Sequence, residues 1–261
     1  MKNKRFWFTV DDNIRFLKEI TEGGLQSMFA HPYLEMYKRL HEKYGVKIQL
    51  NLFFESKQFE LTQMTDRYRE EWKRNADWLK LSFHCRKEIA RPYQASSYEE
   101  VFQDCSEVHR EIKRFASPEN LGKTTTIHYC VATEDGIRAL KDCGVKGLLG
   151  LYGDSENSRN SYQTDAKENE HLRRGEIIVS DEMAYAGIDI VLNLYSPEEI
   201  RAKLDALIGR EFVKVMIHEQ YFYSDYPAYQ PEFEQKLEDT FILLKENGYE
   251  SIFFEECISV D

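Results

Sequence analysis

The sequence predicts an α/β fold built as a (β/α) barrel, and three observations carry that prediction. A helix-like segment, a glycine and a β-rich run recur in that order: LEMYKRLHEKYG into VKIQLNLFF, EDGIRALKDCG into VKGLLGLY, and FEQKLEDTFILLKENG into YESIFFEE. The β-rich runs are apolar throughout, as parallel strands are when helices cover both faces of a sheet. Strand-like runs number about seven or eight, which is what a barrel needs. A doubly wound sheet uses the same parts and stands as the alternative.

The expected strands are Arg5–Asp11, Val46–Phe54, Trp78–Phe83, Thr124–His128, Val145–Leu149, Ile188–Leu194, Phe212–His218 and Ser251–Phe254. Gly45, Gly144 and Gly248 follow amphipathic segments and should close those helices with positive φ. Arg67–Trp78 is charged and reads as a solvated helix. Gly150–Ser180 is polar and weakly periodic, so a long excursion is expected there. No Pro/Ser/Gly-rich linker divides the 261 residues, which predicts one domain over 1–261.

The composition excludes several classes of function. Hydrophobic content of 42% and charged content of 31% fit a globular chain. Lys and Arg total 35 against 46 Asp and Glu, a net charge of −11. An acidic surface repels phosphate backbones, so no nucleic-acid partner is expected. No apolar run is long enough to cross a bilayer, and the N-terminal one is too short for a signal peptide, so no membrane partner is expected. Five scattered cysteines without a C-x-x-C pair suit reduced thiols and a cytoplasmic location. Self-association into a homo-oligomer is left open.

Ligands of α/β barrels and sheets bind at the C-terminal ends of the strands. The first strand ends in Asp11-Asp12, the third in His84 followed by Glu88 (LSFHCRKE), the fourth in His128 and the seventh in His218-Glu219. Each has a plain structural reading. Asp12-Asn13 suits a helix cap before IRFLKEI, and a lone histidine is more often a hydrogen-bonded core residue. Together they form the donor set of zinc or a similar divalent ion, or an acid/base set. The other histidines, His31, His41, His109 and His171, are expected on the surface. The tyrosines of QYFYSDYPAYQPEF, Tyr221 first among them, either pack on one another or wall a flat ligand.

These residues resemble the polysaccharide deacetylases of the NodB-homology family. Thr9-Val10-Asp11-Asp12-Asn13 is similar to that family's T-F-D-D-G motif, HCRKE to its H-S/T-x-x-H motif, and VMIHEQYF to its closing L-x-H motif. The ordered trio spans residues 6–222. The resemblance implies a distorted (β/α)7 barrel and a metal-dependent hydrolase that cleaves an N-acetyl or similar C–N bond of a carbohydrate or small molecule. It further implies Asp11 as the general base, Asp12, His84 and Glu88 as metal ligands, and His218 as the general acid. The ion implied is zinc first, with manganese, cobalt or nickel as alternatives. Glu88 replaces the family's second histidine, and an i, i+4 pair could share one face of a helical turn. Asn13 replaces a glycine and, like it, tolerates left-handed backbone. The family's arginine and tryptophan motifs have no clear counterpart. His128, Glu219, Tyr221 and Arg91 are further candidates for ligation or substrate binding. Two other readings remain: a metal- or carbohydrate-binding barrel without deacetylase activity, and a glycosidase with paired carboxylates such as Asp11 and Glu219.

Overall fold

A computed structural model of the chain describes residues 3–153 and 160–258. The elements run β1 (Arg5–Asn13), α1 (Arg15–Glu22), α2 (Pro32–Tyr44), β2 (Ile48–Phe53), α3 (Arg69–Arg74), β3 (Leu79–Cys85) and α4 (Tyr98–Phe115). After these come β4 (Thr124–Thr125), α5 (Glu134–Asp142), β5 (Gly147–Gly150), α6 (Ala166–Arg173), β6 (Ile177–Ser180), β7 (Met183–Gly187) and β8 (Ile190–Val191). The last are α7 (Pro197–Leu207), β9 (Phe212–His218), α8 (Phe233–Glu246) and β10 (Glu250–Ser251).

One sheet has the order β3-β2-β1-β9-β8, all parallel, with β10 on the start of β1; the other is β4-β5-β7-β6, with only β6 antiparallel. Two seams join the sheets. At the first, Ser82 Oγ donates to the Thr124 carbonyl at 2.7 Å and Thr125 Oγ1 to that of Phe83, so threonine and serine hydroxyls span β3 and β4. At the second, the chain itself crosses from β7 to β8, with the Ile188 amide on the Gly150 carbonyl at 2.8 Å and the Asp189 amide on the Lys214 carbonyl at 3.0 Å. The ring therefore has seven parallel positions: β1, β2, β3, β4, β5, β7–β8 and β9. The backbone ladder breaks at the seams, which makes it a distorted (β/α)7 barrel rather than a closed one.

Alternation along the strands sorts the side chains. Phe8 of β1 faces outward, edge-on to Phe241 of α8 at 5.1 Å and tilted to Tyr37 of α2 at 6.1 Å. Inside the ring, Trp7, Leu149, Ala184, Ala186, Ile252 and Phe254 form a separate apolar plug. Further along the same faces the lining turns polar: Thr9 and Asp11, Gln49 and Asn51, Ser82 and His84 are all buried. Gln49 of β2 reaches past β3, its Nε2 donating to the Thr124 carbonyl at 2.9 Å. The barrel thus has an apolar base and a polar upper layer, and buried polar groups need the partners this layer supplies.

Several expectations change. Gly45, Gly144 and Gly248 do take positive φ. The strand expected at Thr124–His128 is only Thr124–Thr125, and His128 instead opens a 3-10 turn to Cys130. The excursion at Gly150–Ser180 holds α6 and β6, while residues 154–159 lie outside those described. Arg67–Trp78 is not a uniformly solvated helix: α3 covers six residues and buries Trp72 completely. Nor are His31 and His109 on the surface. His31 is buried and caps α2 by accepting the Tyr33 amide at 3.3 Å, and His109 is buried beside Cys105.

Candidate metal centre

The site begins with an irregularity in β1. Its register with β2 shifts between Val10 and Asn13, and at that point Asp12 takes φ +62°. A bulge of this kind re-aims a side chain, and here it allows consecutive aspartates to serve one cavity. The left-handed residue is thus Asp12, not Asn13 as the motif suggested. Asn13 is buried and ties the bulge down: its Nδ2 donates to the carbonyls of Val10 (2.6 Å) and Asn51 (3.1 Å), and its Oδ1 accepts from Tyr33 Oη (2.8 Å).

Asp12 meets two imidazoles. His84, on β3, donates from Nδ1 to the Thr126 carbonyl. A carbonyl can only accept, so the neutral ring must carry its lone pair on Nε2. That atom lies 3.0 Å from Asp12 Oδ1 and 3.0 Å from His128 Nδ1, and His128 Nδ1 lies 3.1 Å from Asp12 Oδ1. Three candidate ligand atoms, one oxygen and two nitrogens, converge at a point that favours a proton or a cation between them. The donors fit a divalent ion: N and O ligands about 2.0–2.2 Å from zinc sit roughly 3 Å or slightly more from one another. The surroundings also support ligation. Gln220 Nε2 donates to the other Asp12 oxygen at 2.8 Å, and the Thr126 carbonyl holds the His84 ring, as partners behind metal ligands commonly do.

The same geometry separates the two aspartates. Burial pushes the Asp12 pKa up, but hydrogen bonds from His128 and His84 outweigh it and hold the carboxyl well below its usual range. Burial raises Asp11, and His84, His218 and the Asn51 amide offset this only in part. Burial opposes a charge on His84, yet Asp11 and Asp12 prevail and raise its pKa. Neighbouring acids driven apart in this way can take different chemical roles.

Asp11 is in register with His218 on the adjacent strand β9. Asn51 Nδ2 donates to Asp11 Oδ1 at 2.6 Å, and His218 Nδ1 is 2.8 Å from Asn193 Oδ1. With Nδ1 engaged, Nε2 is the His218 nitrogen that can meet a ligand. Asp11, Asp12, His84, His128 and His218 line one cleft of about 520 Å³.

Other expected residues fall elsewhere. Glu88 lies outside the group of converging donor atoms, and His128 stands in that group with Asp12 and His84. The reason is local: β3 ends at Cys85 and residues 86–88 bend instead of forming a helical turn, which leaves Glu88 exposed at the cleft mouth. Arg91 is exposed on the following loop and does not line the cleft. Glu219 is buried and accepts from the amides of Ile14 (2.7 Å), Arg15 (3.1 Å) and Phe16 (2.7 Å) and from Tyr223 Oη (2.8 Å). It closes the N-terminus of α1, the capping task that Asp12-Asn13 had seemed to offer. Burial pushes its pKa up to about 7 even against these donors. Tyr221 is half-buried in the cleft wall, edge-on to Tyr226 at 5.3 Å, while Tyr223 packs inward under Arg15. The tyrosine segment therefore both packs on itself and walls the cleft. Sequence reasoning missed Asn51, Asn193 and Gln220. Only Asn51 left a signal, as a polar residue inside the apolar run IQLNLF.

No protein-family model matches the chain, and no curated protein matches it. Solved structures do. A 4-alpha-glucanotransferase from Thermococcus litoralis aligns at TM-score 0.59 and 13% identity over 98% of this chain. The chain spans only 40% of that enzyme's length. A carbohydrate esterase family 4 pseudoenzyme from Bacillus anthracis aligns at TM-score 0.51 and 12% identity, covering 99% of this chain and 67% of that one. A peptidoglycan N-acetylglucosamine deacetylase aligns at TM-score 0.51 and 12% identity, covering 100% and 91%. At these identities the likeness establishes the fold. The chain carries the polysaccharide-deacetylase fold in divergent form, with Asp12, His84 and His128 as its candidate metal centre.

Proposed function

We propose that this protein is a metal-dependent hydrolase that cleaves an amide C–N bond of an N-acylated carbohydrate or small molecule. The observation that carries the reading is the meeting of Asp12 Oδ1, His84 Nε2 and His128 Nδ1 beside the in-register pair Asp11 and His218. Asp12, His84 and His128 would hold the ion, and their mixed nitrogen and oxygen donors suit zinc, with manganese, cobalt or nickel as alternatives. When bound, such an ion polarises a carbonyl and acidifies water.

The chain's own residues supply the rest. Asp11, its burial favouring protonation, takes a proton from the attacking water, and Asn51 holds its carboxylate in place. His218, oriented through Nδ1 by Asn193, presents Nε2 to the leaving nitrogen and protonates it. The water oxygen bonds to the acyl carbon, the C–N bond breaks, and a carboxylic acid and an amine leave. Five cysteines without disulfides fit a reducing compartment, and among the described residues no helix is long and apolar enough to cross a membrane.

A panel of N-acyl sugars and amines with the zinc-loaded protein tests this. Acid release that disappears in Asp11→Asn and His218→Ala is the expected result. Release unchanged in Asp11→Asn removes the assigned base. A second reading, a metal-holding barrel without turnover, has one observation in its favour: the partner of His218 is the neutral amide of Asn193, so no ion pair stabilises a charged ring at that nitrogen. Bound metal without hydrolysis of any panel member would decide for it. The glycosidase reading loses its second carboxylate, because both Glu219 oxygens are committed to α1 and Tyr223.

A further inference from the structure

We propose that the substrate is amphipathic, an N-acyl amine whose acyl group is an apolar chain longer than acetyl. This rests on the hydrolase reading above and names its substrate class. The mouth of the cleft carries exposed apolar side chains. Leu194 is 62% exposed, Ile89 45% and Tyr129 41%, and all three stand around this opening. They come from three separate segments, after β8, after β3 and in the turn after β4. Ile127, Leu151, Val191 and Met216 add apolar surface to the same lining, in which Asp11, His84 and His128 are the buried polar groups. Exposed apolar groups gathered at the rim of a cleft mark a surface that a ligand desolvates.

The neighbouring groove has a different character. It has a volume of about 950 Å³ and meets the cleft at Asp12, Glu88, Gln220 and Tyr226. Ion pairs line it: Arg15 with Glu19 at 2.8 Å and with Asp225 at 2.6 Å, and Lys87 with Glu55 at 3.6 Å. A molecule with its scissile bond at the candidate metal centre therefore has an apolar side and a charged, hydrated side. Leu194 and Ile89 offer a sugar no hydrogen bond and no aromatic face, so the aromatic faces of Tyr129, Tyr221 and Tyr226 in the same lining leave these two aliphatic groups for an apolar chain. An acetyl methyl is too small to cover them, whereas an acyl chain of several carbons covers them and leaves the polar amine part to the groove. The reaction needs only water: the acyl carbon gains the water oxygen, the nitrogen gains a proton from His218, and a longer-chain acid leaves.

The test compares N-acetyl-, N-hexanoyl- and N-octanoylglucosamine with the zinc-loaded protein, following hydrolysis and, in Asp11→Asn, binding by calorimetry. Discrimination by apolar contacts is worth roughly tenfold or more, so kcat/KM should rise about tenfold from acetyl to octanoyl. Leu194→Ser and Ile89→Ser should each reduce that ratio about threefold. Val179→Ser, an exposed residue outside the cleft, should leave it unchanged. Hydrolysis that is flat or falls with chain length, or that favours N-acetylated oligosaccharides, overturns the inference and leaves the hydrolase reading standing. Tighter octanoyl binding that Leu194→Ser weakens, with no hydrolysis of any member, supports the apolar site and removes the hydrolase reading. No preference in either measurement overturns the inference outright.

Discussion

Asp12, half-buried, and Glu219, buried, are carboxylates at the same end of the barrel, and they differ in what faces them. Glu219 meets four donors, three of them backbone amides at the start of α1. Asp12 meets two imidazole nitrogens and one amide, on a backbone held at φ +62°. The first arrangement is saturated without any ligand. The second gathers lone pairs that only a proton or a cation reconciles, and it does so on a strained residue. Counting partners therefore separates a structural carboxylate from a chemical one.

The largest expected effect is on the saturated side. Glu219→Ala leaves the α1 amides and Tyr223 without their acceptor and should cost about 4 kcal/mol of stability, read by urea unfolding. Metal binding by the folded fraction should persist.

A second contrast sharpens the first and lies between histidines. Acids raise the His84 pKa, whereas His109 on α4 is buried without an acid and is held down at about 4. A depressed folded pKa means that its contribution is complete above the unfolded value near 6.5 and is lost as pH falls towards 4. Acidification from pH 7.5 to 5 should therefore cost about 2 kcal/mol through His109. His109→Phe should flatten that part of the stability profile. An unchanged slope would show that His109 is not the group responsible.

Smaller effects belong to the chemical side. Gln220→Leu frees one Asp12 oxygen and should weaken metal affinity about tenfold, as read by competition with a chelator. Asp12→Gly removes the carboxylate while accepting the positive φ, so it should change metal-free stability by no more than about 1 kcal/mol. A loss of 3 kcal/mol or more by chemical denaturation would make Asp12 a structural residue like Glu219 and break the comparison.

Much of this end of the molecule could be read from the sequence, and physical reasons explain what could not. Asp11, Asp12, His84 and His218 each stand where an apolar run stops, and parallel strands of a barrel end on one face. Glu88 resembles a ligand because it stands at the second histidine of the family's motif, but the chain bends after Cys85 and leaves Glu88 exposed. His128 stands at the end of an expected strand, yet it arrives on a 3-10 turn whose Tyr129 and Cys130 take positive φ. The bulge at Asp12 has no glycine to announce it. The role of Glu219 depends on an amide 205 residues away in sequence, which no local pattern encodes. β6 and β7 escaped because MAYAG is short and small-sided and IIVS is half-exposed, so neither resembles a buried strand.

The central claim is that Asp12, His84 and His128, and not Glu88, hold a metal ion. Zinc titration by calorimetry, with metal content measured after dialysis, tests it most directly. The account predicts one equivalent bound to the wild type and to Glu88→Ala, and loss of that equivalent in Asp12→Gly, His84→Ala and His128→Ala. Retention in His128→Ala with loss in Glu88→Ala would contradict it.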